Sequence, residues 1–233
     1  MPIGVCINVV AVFIGTMIGG SIKKILPQKL IDELPKVFGI CSVTIGIMSV
    51  VGVQTLPVVI MATIIGFAIG EMINIHHYVS HAFSIVLKKL PFHIEGNYDE
   101  YMELYLLVVL MFSMSGTGLF GALSEGMSGD SSVLLSKSVL DFFTAILFGA
   151  ALGYAQSLIC VPQLIILMTC FLLAHAIAPF INAVMIADFK ACGGIITMMT
   201  GLTVARVMKV RAINLVPALI VVMPLVGFYY MFI

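Results

Sequence analysis

The sequence predicts an all-α polytopic membrane protein of about eight transmembrane helices, with an inverted repeat of spans 1–3 and 6–8 around a central helix pair. Three observations carry this expectation. Of 233 residues, 61% are hydrophobic and only 9% charged, against roughly 25% charged residues in a soluble domain, and mean hydropathy is +1.20. Apolar runs recur at about the 20 residues that one crossing of a bilayer needs. Lysine and arginine fall on alternate connections between those runs.

Residues 3–22 form the first span, with Gly15 and Gly19 on one face, where another helix can approach closely. The start has no basic leader and no small-residue cleavage site after its apolar run, so a retained helix is expected, not a signal peptide. A polar connection over 23–36 carries Pro27 and Pro35, span 2 covers 37–53, and after a Q-T-L-P turn span 3 covers 57–73. Span 3 repeats the glycine spacing at Gly66 and Gly70 and ends near Glu71. Over 74–93, Ile75, Val79, Phe83, Val86 and Leu90 recur at helical spacing opposite His77, His81, Lys88 and Lys89, which suits a helix lying in the membrane interface. An acidic patch of Glu95, Asp99, Glu100 and Glu103 precedes span 4 at 104–118; spans 5 to 8 cover 134–154, 159–177, 192–207 and 213–232. The organisation is thus a single transmembrane domain, 1–233. Within it lie a first three-helix unit (1–73), the interfacial segment (74–97), a central pair with a glycine-rich motif (98–155) and a second three-helix unit (156–233).

Alternate connections hold Lys23, Lys24, Lys29 and Lys36, then Lys88 and Lys89, then none, then Arg206, Lys209 and Arg211, whereas the opposite ones hold only Lys190, with Lys137 counted within span 5. That bias places both termini outside the cytoplasm. Span 1 with Pro27, Asp32, Gly39, Gly46 and Pro57 echoes span 6 with Pro179, Asp188, Gly194, Gly201 and Pro217. On this layout the two units start on opposite sides, the plan of an inverted repeat, which in secondary transporters brackets a site near the midplane.

Zero net charge without a basic tract argues against nucleic acid as a partner. The five cysteines (Cys6, Cys41, Cys160, Cys170, Cys192) are scattered through apolar runs without a C-x-x-C and read as small core residues. His77 and His81 could share a metal by spacing, but no acidic or cysteine ligand completes the set, and a polar interfacial face explains them. H-E-x-x-H, G-x-S-x-G and G-x-x-x-x-G-K-[ST] are all absent, so no enzymatic activity and no cofactor is expected. Tyr98-Asp99 with Gly126, Gly129 and Asp130 loosely resembles the Y-D and G-x-G-D pair of intramembrane aspartyl proteases. One residue too many separates the glycines.

The candidate site is the stretch 113–141, where five glycines (Gly116, Gly118, Gly121, Gly126, Gly129) and four charges (Glu125, Asp130, Lys137, Asp141) interrupt apolar sequence. Irregular backbone and lone carboxylates at membrane depth are tolerated where a chain lines a cavity. The apolar run 119–123 favours a re-entrant or broken segment, although an extension of span 4 explains it too. Asp141 lies roughly 10 Å along span 5 at 1.5 Å per residue, and Lys137, one turn earlier, is its obvious partner. One reading is an ion or proton site of Asp141, Asp130 and Glu125, with oxygen ligands of the kind hard cations need. The other is a structural Lys137/Asp141 pair beside a glycine-packed turn. Ser113, Ser115 and Thr117 could add hydroxyls or bond back to their own helix. Asn8 and His175, isolated in apolar runs, suit interhelical hydrogen bonds, with proton relay as the alternative for His175.

The segment S-G-T-G-L-F-G-A-L-S-E-G-M-S-G-D, continuing through K-S-x-L-D-F-F-T-A, resembles the signature of the YqgA-like family of bacterial inner-membrane proteins, a domain of unknown function. The likeness extends to L-P-x-x-L at residues 26–30, I-G-x-x-x-G-E at 65–71, A-D-F-x-A-x-G-G at 187–194 and N-L-V-P-A-L at 214–219. It implies a polytopic inner-membrane protein and carries no substrate with it. Its motif residues fall on Gly116, Gly118, Gly121, Glu125, Gly126, Gly129, Asp130, Lys137 and Asp141.

The expectation is a small secondary transporter or ion channel of the bacterial cytoplasmic membrane for a cation or a cation-coupled solute. Gly116, Thr117, Gly118, Glu125, Gly129, Asp130, Lys137 and Asp141 would form its binding site. A structural or regulatory membrane component is the alternative and an intramembrane enzyme a distant third. Partners are the lipid bilayer and a small ion or solute, and the faces rich in small residues suit a homo-oligomer.

Overall fold

The computed structural model describes residues 1–23, 25, 27–89 and 97–232. Ten α-helices follow in order: α1 (Ile3–Ile22), α2 (Gln28–Val50), α3 (Leu56–Ile73), α4 (Ile75–Lys89), α5 (Tyr98–Ser113), α6 (Gly116–Ser128), α7 (Ser132–Leu152), α8 (Cys160–Ile177), α9 (Ala183–Val204) and α10 (Val216–Phe232). No strand occurs among the described residues. Among the described residues six stretches are long and apolar enough to cross a membrane, one of them combining α5 with α6 and another α7 with α8, and α2 adds a shorter apolar helix, Lys36–Val50. Side chains such as Ile64, Leu172 and Ile220 are exposed around the bundle, an apolar surface that suits lipid and not water. The protein is an all-α polytopic membrane protein.

The helices pair through glycine. A Cβ on Gly201 would lie 2.5 Å from Gly39 O, and one on Gly194 would lie 2.8 Å from Gly46 O, so α2 and α9 meet backbone to backbone, antiparallel. Gly66 and Gly70 of α3 meet Ala218 of α10 and Asn214 just before it, again antiparallel. Gly15 and Gly19 of α1 abut Phe142 and Ile146 of α7, a parallel pair. Gly126 of α6 packs on Phe171 and Ala174 of α8. Lipid tails are as apolar as leucine, so this closeness, not hydrophobic burial, holds such pairs. α5 is enclosed on most of its circumference, burying Met102, Tyr105, Leu106, Val108, Val109, Leu110 and Phe112. Its Tyr101 hydroxyl donates to Leu152 O at 2.8 Å.

Several boundaries differ from expectation. The polar connection before span 2 is shorter, because α2 begins at Gln28, directly after Pro27 in an extended conformation. α9 begins nine residues before the expected 192, capped by Asn182, whose side chain accepts from Met185 N. Lys190 consequently lies within a span and not in a connection. The glycine-rich stretch is mostly helix: α6 starts after a break at Met114 and Ser115, where Ser115 Oγ accepts from Gly118 N at 3.2 Å, and ends at Gly129, whose φ of 77° is left-handed. The run 119–123 is therefore the body of a broken-span helix. The amphipathic expectation holds over 75–85 of α4, where Ile75, Val79 and Phe83 are half-buried and His77 and His81 exposed, with the side chains of 86–89 and residues 90–93 outside what is described. Cys160 and Cys192 are buried, but Cys6 and Cys41 face outward.

Candidate functional site

α1 organises the polar interior, because its buried face is a stripe of Gly4, Val5, Asn8, Val12, Gly15, Thr16, Gly19 and Gly20. At its N-terminus Pro2 supplies no side-chain cap. Glu125 of α6 does so instead, accepting from Gly4 N at 2.7 Å and Val5 N at 3.2 Å. A buried carboxylate is tolerated there because the free N–H groups and the helix dipole both favour negative charge.

About one turn further along α1, Asn8 joins three spans. Its Nδ2 donates to Asp141 Oδ2 on α7 at 2.8 Å, and its Oδ1 accepts from Gln163 Nε2 on α8 at 2.7 Å. Lys137 Nζ donates to the same Asp141 oxygen. The Lys137 and Asp141 side chains are only 6% and 12% exposed, and Asn8 and Gln163 are fully buried. Asp141 lies about 14 Å into α7 at 1.5 Å per residue. Past the buried Val12 a second polar level follows, where Gln156 Nε2 donates to Thr16 Oγ1 at 3.0 Å and to Ala145 O at 3.2 Å. The Oε1 atoms of Gln163 and Gln156 are buried and meet no donor among the described residues.

The remaining expected residues disperse. Asp130 is on the surface between α6 and α7, where its Oδ1 accepts from Ser132 N at 2.9 Å and Ser132 Oγ at 2.6 Å, bonds that hold its carboxyl below the usual range. Glu125, Asp130 and Asp141 therefore occupy three separate places. Asp99, in the first turn of α5, is at the far end of the broken span from Asp130. Ser113 is buried against an apolar cavity lined also by α4, α8 and α10; Ser115 caps α6, and Thr117 lines a second cavity. A Cβ on Gly118 would lie 3.0 Å from Lys137 Cε, so this glycine is what lets the lysine stem pass under α6. Gly116 opens α6 and Gly129 ends it. His175 is exposed in the last turn of α8. The His77 and His81 rings stack with centroids 6.1 Å apart, and the described residues hold no group of three or more metal-ligating side chains.

Sequence reasoning did not assign a role to Asp188. It is fully buried on α9, its Oδ1 accepting from Gln54 N at 2.8 Å and Thr55 N at 3.0 Å, its Oδ2 from the Thr55 hydroxyl. It ties down the two residues that lead into α3, whereas Glu125 binds the first turn of α1 itself. Gln156, Gln163 and Thr16 were also missed. The signal available was a polar side chain within an otherwise apolar run, the same signal that singled out Asn8.

Residues 3–227 match the model of a family described as a protein of unknown function, DUF554. The chain is 38% identical over 231 residues to the uncharacterized protein YqgA of Escherichia coli (strain K12), covering 97% of this chain and 96% of that one. It is 25% identical over 224 residues to the uncharacterized membrane protein YdfK of Bacillus subtilis (strain 168), covering 94% and 93%. No solved structure matches.

Proposed function

We propose that this chain, which belongs to the DUF554 family, is a small secondary transporter or ion channel of the bacterial cytoplasmic membrane, moving a cation or a cation-coupled solute, with Asp141 as the exchange site. One observation carries the reading: a buried Lys137/Asp141 pair bonded through Asn8 and Gln163 to two further spans. A buried ion pair adds little stability over apolar residues of like size, and ionisable groups within spans mark ion pathways. A cation reaching Asp141 can take the place of Lys137 Nζ without adding net charge at the carboxylate. The donor-free Oε1 of Gln163, one hydrogen bond beyond Asn8, offers a further oxygen ligand in the same network. Along α1 the polar levels at Asn8 and Thr16 mark a route, with the buried Val12 as the barrier between them.

Three further features support the transporter plan. α5 and α6 form a broken span whose break adjoins Lys137, the kind of discontinuity that lines binding sites. The antiparallel α2/α9 and α3/α10 contacts, the first of them with glycines facing each other in reciprocal pairs, support an inverted repeat of α1–α3 and α8–α10. Lys190 lies inside α9 as Lys29 and Lys36 lie inside α2, while Arg206, Lys209 and Arg211 stay in the connection between α9 and α10, which supports both termini outside the cytoplasm.

A structural or regulatory role is the second reading, favoured by Glu125 and Asp188, each engaged by donors at the start of another span. A thermal-shift screen of purified protein against lithium, sodium, potassium, magnesium and pH separates the two, since a ligand at 100 times its Kd adds about 2.7 kcal/mol. Stabilisation by one cation, lost in Asp141→Asn, is the expected result. No cation dependence in either protein favours the structural role.

A further inference from the structure

A cavity of about 590 Å³ opens between α2, α6, α7 and α9, within the size range of small-molecule sites. Most of its wall is apolar, including Ile45, Met48, Phe120 and Ile186. The hydroxyls of Thr44 and Ser49 donate to their own helix, to Ile40 O at 3.3 Å and Ile45 O at 3.1 Å. The charged group in this wall is Lys190, half-buried about 10 Å into α9 at 1.5 Å per residue. Its Nζ rests 3.3 Å from the centroid of the Phe120 ring, and no carboxylate of the described residues lies within ion-pair distance of it. The other lysine buried among the spans, Lys137, has its carboxylate; Lys190 has a π-face and an open cavity.

We infer that this cavity binds an amphiphilic organic anion, its acid group on the Lys190 ammonium and its apolar body between α2 and α6. A cation within a span is costly without a counter-charge, and a bound acid supplies one while the apolar wall takes up a short chain. Thr117 lines the same cavity, and its neighbour Gly118 packs against the Lys137 side chain. The first turn of α6 is therefore the wall between the anion cavity and the Asp141 cluster. This inference is independent of transport: it requires binding only, at a place the cation reading does not use. A carboxylate entering from water and an anionic phospholipid entering from the bilayer share the chemistry.

The chain contains no tryptophan, so Met48→Trp introduces a lone fluorescent reporter at the cavity. In nanodiscs of phosphatidylcholine, quenching is titrated with brominated octanoate and with the brominated alcohol of equal length. The carboxylate is expected to bind at least about tenfold tighter than the alcohol, the yield of a charge-assisted contact. Lys190→Gln removes that preference while alcohol quenching persists, which shows the cavity intact, and Lys190→Arg keeps it. A second arm replaces part of the lipid with brominated phosphatidylglycerol. Lys190-dependent quenching by that lipid, or its displacement of octanoate, assigns the anion to the bilayer; octanoate binding undisturbed by it assigns a dissolved solute. Equal affinity for acid and alcohol, a preference that survives Lys190→Gln, or no quenching by any anion overturns the inference. Ala187→Phe, which fills the same cavity from α9, should abolish quenching by acid and alcohol alike; unchanged binding there also overturns it.

Discussion

Removing one member of the Lys137/Asp141 pair should harm this protein far more than removing both. The side chains are 6% and 12% exposed, so the pair falls in the buried regime and not among solvent-screened surface pairs. Asp141→Leu leaves a buried ammonium, and Lys137→Met a buried carboxylate bonded only to Asn8 among its present partners. Each is expected to cost about 3–5 kcal/mol, two to three and a half decades in the unfolding constant. The double variant loses both charges together and retains chiefly the cost of the freed Asn8 amide, about 0.6–1.7 kcal/mol for one interhelical hydrogen bond. The coupling energy is then roughly 4–9 kcal/mol. Unfolding in mixed micelles against dodecyl sulfate, followed by circular dichroism, supplies the four stabilities. If the double variant is as unstable as the sum of the singles, or each single costs less than about 0.5 kcal/mol, the burial argument fails.

Three other expectations follow from the same geometry. Glu125→Gln should lose about 1 kcal/mol by weakening the charged cap of α1, and hydrogen exchange should accelerate at the Gly4 and Val5 amides before elsewhere. Gly194→Leu should destabilise by about 1–3 kcal/mol or more through overpacking against Gly46, whereas Gly52→Leu, with nothing within 4 Å, should be tolerated in the same thermal assay. Asp130 has a carboxyl held low by Ser132, so its contribution is present above the unfolded value and lost as pH falls through the lower folded one. Ser132→Ala should move the Asp130 titration upward by NMR and flatten that acid-limb dependence.

Asn8, Lys137 and Asp141 were legible because a polar side chain in an apolar run advertises its own cost, whatever the fold. Their partners were less so. Glu125 meets Gly4 N across 121 residues and Asp188 meets Thr55 N across 133, and such distances leave no local trace. Both carboxylates satisfy backbone donors and not an ion, a role that composition cannot distinguish from ligation. The broken segment expected at 119–123 is there, but the break is confined to Met114 and Ser115, and the glycines after it sit in regular helix although glycine weakens helices in water. Here Gly126 and Gly118 are needed for contact with Phe171 and Lys137, and tertiary packing overrides propensity. Lys190 passed for a loop charge because A-D-F-K looks polar. Asn182 caps the helix eight residues earlier, and Asp188 finds its donors on Gln54 and Thr55, so the segment is helix despite its polar look.

The central claim, that Asp141 exchanges a cation, is tested most directly by electrophysiology of proteoliposomes on a solid-supported membrane. Sodium, potassium and proton concentration jumps are applied to the wild type, to Asp141→Asn, and to the swapped variant carrying Lys137→Asp and Asp141→Lys. At least one cation should evoke a charge displacement in the wild type, none in Asp141→Asn, and none in the swapped variant even though its pair is restored and it folds. An undiminished current in Asp141→Asn, or silence of the wild type to all three cations, contradicts the claim.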